Sequence, residues 1–208
     1  MRNFIAALLC SFLLTATLPA QATAVNRDQA NQYFATCIGK ATKGVNAESM
    51  TALCACTSAR LMQFMAAEDL EAIKSGGSAG QTAQHKMLLD VYAPCTEIIA
   101  ADMIGFECIN NKKLYDLNKG YDIPKLCACS AQKSAAWYKG KARGLMTEVL
   151  QKDPAITDAA GALITHPQTR SQMLNNLVAC SAQPTDMKSL NKYVPSAIPV
   201  PVFSGPGK

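Results

Sequence analysis

From residue 26 onward apolar side chains recur three and four positions apart, the spacing that lines one face of an α-helix. Asn26 or Asp28 starts the first such run, which passes through Tyr33, Phe34, Cys37, Ile38 and Ala41 and ends at Lys43-Gly44. Asn46 or Ser49 opens a second, through Met50, Leu53, Cys54, Thr57, Leu61 and Phe64. Residues 67–73 continue or restart it before the Gly76-Gly77-Ser78 break. A third helix is predicted over 82–104, through Leu88, Tyr92, Cys95 and Ile99. The pattern then repeats: a helix over 106–117, a break at Gly120, and a helix whose first turn holds Pro124, where its missing N–H costs nothing. Asp153-Pro154 and His166-Pro167 punctuate the long stretch after it, and a last helix is expected over 168–182. No stretch sustains strand alternation, so the expected fold is all-α.

The N-terminus reads differently. Residues 1–24 have the build of a secretory signal peptide: Arg2, an apolar run from Phe4 to Leu18, Pro19, and the small-x-small site Ala22-Thr23-Ala24. The mature chain would begin at Val25, with cuts after Ala20 or Ala22 as alternatives. Leu9 precedes Cys10 where a lipoprotein signal needs a small residue, which argues against lipidation. Beyond this segment there is no apolar run long enough to span a bilayer. The expected location is periplasmic or secreted, where thiols oxidise.

The chain has nine cysteines, and setting Cys10 aside leaves eight in two similar sets. Cys37, Cys54, Cys56 and Cys95 form one; Cys108, Cys127, Cys129 and Cys180 form the other. Each contains Leu-Cys-Ala-Cys followed by Thr or Ser, and an aromatic eight residues after the second cysteine of that word, Phe64 or Trp137. The first gaps hold 16 and 18 residues, the later ones 38 and 50. This is the pattern of one helical module written twice. Residues two apart on a helix point about 200° from each other, so neither Cys-x-Cys can serve a single neighbour. The Cys-x-Cys helix is therefore expected between two others, with one bridge to each side. Two pairings remain open in each set. Structural disulfides are preferred over a redox pair, which needs an exposed low-pKa thiolate, and over zinc.

The expected organisation is a signal peptide over 1–24, helical four-cysteine modules of about three helices over 25–104 and 105–184, and an extended Pro-rich tail over 185–208. Charge separates the two modules. Residues 25–104 carry 6 Lys+Arg and 8 Asp+Glu; residues 105–184 carry 10 and 6. In the second, Lys112, Lys113, Lys133, Trp137, Tyr138, Lys139, Lys141 and Arg143 are the candidate partner-binding residues, densest at 137–143. Cations attract anions and aromatics add flat contact area. The bland alternative is a solvated basic face with Trp137 in the core, matching Phe64.

Only two histidines occur, His85 and His166, at unmatched positions suited to surface or capping roles. No nucleophile, metalloprotease or phosphate-loop motif appears. The chain reads as a non-catalytic, exported, disulfide-rich binding or accessory protein of an envelope, secretion or conjugation system, or an immunity or inhibitor protein. No cofactor or metal is implied. Its partner would be another envelope protein or an anionic envelope component; a membrane surface is possible and nucleic acid is not expected. The alternatives are a thiol-active or hydrolytic periplasmic enzyme, and a lipid-interacting helical protein.

Overall fold

The computed structural model describes residues 22–40, 42–111, 121–156 and 158–181. Residues 1–21 of the predicted signal, Lys112 and Lys113, the Gly120 break and the 185–208 tail lie outside that set. The fold is all-α, stapled by disulfides; among the described residues the only β pairing is an isolated bridge between Ala24 and Ala66.

Helix α1 spans Arg27–Ile38 and begins with a reciprocal cap: the Asn26 side chain accepts from the Gln29 N–H, and the Gln29 side chain accepts from the Asn26 N–H. Helix α2, Ala47–Phe64, has a one-sided cap: the Asn46 side chain accepts the Ser49 N–H at 2.8 Å, while the Asn46 N–H donates to Asp102 Oδ2 at 3.2 Å. It buries Leu53, Cys54, Thr57, Ser58 and Leu61. The chain then turns extended at Met65 and restarts as α3, Ala67–Ser75. Gly76, at φ 74°, takes a left-handed turn that reverses the chain into α4, Gly77–Lys86. A side chain at Gly80 would strike the Ala72 carbonyl, so α3 and α4 touch backbone to backbone there.

The uninterrupted helix expected over 82–104 is corrected by the structure. Helix α4 passes into a π-helical segment at Met87–Tyr92, one α-turn at Ala93–Cys95 and a 3-10 turn at Thr96–Ile98. A new helix, α5, runs Ala100–Ile109. The physical reason is Pro94, which has no N–H for the Asp90 carbonyl. The Arg60 side chain fills the vacancy, its Nε donating to the Asp90 carbonyl at 2.7 Å. Helix α6, Ile123–Tyr138, carries the second Cys-x-Cys and is capped by Asp122. Helices α7 (Ala142–Lys152), α8 (Ala159–Thr165) and α9 (Pro167–Ser181) complete the described residues, with the breaks falling at the two X-Pro steps that the sequence marks.

All eight cysteines from Cys37 onward are bridged: Cys37–Cys54, Cys56–Cys95, Cys108–Cys127 and Cys129–Cys180. In each set the first thiol of Cys-x-Cys reaches back and the second reaches forward. Helix α2 is thus held between α1 and the 93–95 turn, and α6 between α5 and α9. Buried side chains cross the boundary drawn at 104/105. Ala93, Ala100 and Ile104 pack with Ala131, Tyr138, Met146 and Leu163, while Ala160 joins Val45, Leu53 and Ile99. Helix α5 itself straddles that boundary.

Replacing Cys56 and Cys95 together by Ala should lower the unfolding free energy by about 2–4 kcal/mol, read from the urea midpoint of the oxidised protein. A loss under about 1 kcal/mol would mean that helix packing alone fixes the 93–95 turn.

Candidate functional site

Helix α6 ends at Tyr138 and α7 begins at Ala142, so the densest cluster of candidate binding residues occupies the tight turn between them. Gly140 makes the turn with φ 76°, a conformation that L side chains resist. Lys139, Lys141 and Arg143 are exposed around it, and Lys133 is exposed two helical turns earlier on α6. Among the described residues no ion pair engages Lys133, Lys139 or Lys141. Beside the turn lies a shallow depression lined by Gly140, Lys141, Gly144, Leu145, Glu148 and Gln168.

The two aromatics separate. Trp137 is half-buried against the main core, with the Lys141 ammonium 5.4 Å from its ring centroid. Phe64, its counterpart in the first set, is also half-buried under a cation, the Arg60 guanidinium at 4.4 Å. Tyr138 corrects its inclusion among partner-binding residues: it is fully buried, and its hydroxyl is 2.9 Å from the Thr96 hydroxyl. Position 138 falls on the inward face of α6 because Ala131 and Ser134, two turns and one turn before it, are buried too. Burial pushes the Tyr138 phenol well above its ordinary value, outweighing the Thr96 hydrogen bond that pulls it down. Burial likewise raises Tyr33, and pushes Tyr92 up to about 12, with Tyr33 and Asp158 nearby adding to the effect.

Two residues of the turn already hold carboxylates, and both come from the irregular 87–98 segment. The Gly140 N–H donates to Glu97 Oε1, and Arg143 Nη2 lies 2.8 Å from Asp90 Oδ1. Asp90 therefore joins two arginines, Arg60 at its carbonyl and Arg143 at its carboxylate. No local spacing announces these partners, which are 43 and 53 residues away in the chain. Pro94 is the one clue in the sequence, since it frees the carbonyl that Arg60 takes.

The histidines fill structural posts. His85 Nε2 is 2.8 Å from the Pro154 carbonyl. His166 is 5% exposed, a buried cap rather than a surface one: its Nδ1 accepts the Gln168 N–H at 3.3 Å. Its Nε2 faces Glu148 Oε2 at 3.4 Å without a directed hydrogen bond. Among the described residues, no three His, Cys, Asp or Glu side chains gather as a metal would require, and no helix is long and apolar enough to cross a membrane. No protein-family model, curated protein or solved structure matches this chain. The four disulfides suggest an oxidising compartment, periplasmic or extracellular.

Because Arg143 is 65% exposed, its tie to Asp90 is a weak surface bond; a double-mutant cycle between Arg143→Ala and Asp90→Ala should return under about 1 kcal/mol and shrink with added salt. A raised phenol keeps its proton longer in the folded than in the unfolded chain. Its contribution is whole below about pH 10 and is lost as the pH rises towards the folded value. Urea midpoints should therefore fall between about pH 9 and 11.5, and fall less steeply in Tyr92→Phe. Identical slopes would exclude Tyr92 as a source of the alkaline loss.

Proposed function

We propose that this chain is an exported, disulfide-stapled helical protein, built from two copies of one four-cysteine module, that acts by binding an anionic partner of the cell envelope. The closure of all eight cysteines from Cys37 onward supports the export part of this reading, and the observation that carries the binding part is the exposure of Lys133, Lys139 and Lys141 with no ion-pair partner among the described residues. The duplication is supported by the identical bridge order in both sets.

The partner surface is the basic edge of α6 and the 139–143 turn. Lys133, Lys139 and Lys141 present their charge to solvent, and the turn already accepts carboxylates from its own chain. An acidic envelope protein offers the same chemistry as Asp90 and Glu97, which favours it over a lipid headgroup. Charges of this kind steer association and set its salt dependence more than they build affinity.

Retention of the oxidised protein on immobilised poly-glutamate and on vesicles containing phosphatidylglycerol, across a salt series, tests the reading. Binding to poly-glutamate should weaken with salt and drop about fivefold or more in a Lys133→Ala, Lys139→Ala, Lys141→Ala triple variant. Retention on vesicles alone would transfer the site to lipid. Retention on neither would remove this face as a binding surface.

A further inference from the structure

We infer that the leader is cut after Ala22, so that the mature protein starts at Thr23 and its new ammonium group pairs with Glu68. The inference rests on the export reading above and moves the expected start by two residues. Ala20-Gln21-Ala22 is itself a small-x-small site, directly after the helix-breaking Pro19. What residues 23–25 do in the fold weighs against a cut after Ala24. The Thr23 carbonyl accepts the Ala67 N–H at 2.8 Å, satisfying the first backbone donor of α3, which has no acceptor inside its own helix. Ala24 bridges Ala66, and the Val25 N–H donates to the Met65 carbonyl at 3.3 Å. Val25 is 4% exposed and packs with Leu61, Met65 and Val91. A cut after Ala24 would strip the strap from α3 and leave the Ala67 N–H without this acceptor. A cut after Ala20 or after Ala22 keeps every one of these contacts, and only the cut after Ala22 makes the Thr23 nitrogen a new ammonium.

The Thr23 nitrogen lies 3.2 Å from both carboxylate oxygens of Glu68. An amide there has one hydrogen to share between two acceptors. The ammonium produced by hydrolysis of the Ala22–Thr23 peptide bond, with water adding to the Ala22 carbonyl and the proton remaining on the amine, has three. It also converts a neutral hydrogen bond into a charged one. Glu68 stands in the first turn of α3, where the helix dipole favours its negative charge. Backbone N–H groups, its own first and that of Thr23 next, hold its carboxyl below the usual range, so it is ionised when the amine is charged.

The test is the intact mass of the unreduced protein after expression in a Gram-negative host. The expected mass corresponds to residues 23–208 less eight hydrogens. A start at Val25, Gln21 or any other internal residue overturns the inference and leaves export standing; an uncut chain starting at Met1 overturns both. The ion pair has its own readout. Near pH 7 an amine-selective reagent should label the Thr23 amine about threefold more slowly in wild type than in Glu68→Gln, because the carboxylate holds the proton on the amine. Equal rates would overturn the pairing with Glu68.

Discussion

Two thiols separated by one residue on a helix cannot face the same way, and the rest of this architecture answers that constraint. A helix whose sulfurs point to opposite sides needs a neighbour on each side. Both Cys-x-Cys helices have them: α1 and the 93–95 turn flank α2, while α5 and α9 flank α6. The bridges restrict the unfolded chain and so add to the stability of these helices. Small side chains between the bridges then let the helices approach closely. A methyl group added at Gly105 would come into ordinary contact with Ala131, 3.5 Å away, where α5 crosses α6.

The second organising feature is the disturbed segment between α4 and α5. Pro94 forces the chain off α-geometry and strands a carbonyl, and one arginine repairs the loss. That repair has a further effect: it sets Asp90 where its carboxylate meets Arg143, while Glu97 meets the backbone at Gly140. Contacts across the 104/105 boundary are thus mostly apolar in the interior, with the buried Thr96–Tyr138 hydroxyl pair as an exception, and polar or ionic at the rim. The two four-cysteine sets share buried neighbours, and a continuous helix, α5, runs through the point at which the sequence divides them.

How much of this is legible in the sequence depends on range. Caps announce themselves locally: Asn46, Asp122 and the Asn26–Gln29 pair sit where short polar side chains precede apolar runs. The Cys-x-Cys geometry reduces each set to two pairings, and the choice between them needs three-dimensional distance. The break near Pro94 is hidden because apolar spacing continues through it, with Tyr92, Cys95 and Ile99 all in helical phase. Tyr138 misleads because a Trp-Tyr-Lys word looks exposed when read alone, whereas its inward direction follows from Ala131 and Ser134. Asp90 and Glu97 leave no trace near the basic turn, since long-range partners leave none in local spacing.

The bridges have one more property, which belongs to assembly and not to the finished fold. From Cys37 onward each cysteine is joined to its immediate neighbour in the sequence, and no loop encloses another. A chain threaded N-terminus first into an oxidising space shows its thiols in this same order. An oxidant that links the newly emerged thiols two by two writes every native bond, with nothing to undo. Nested or crossed bridges would require early thiols to wait, or wrong bonds to be reshuffled over seconds to hours. The native connectivity is the one that pairing thiols in their order along the chain would produce.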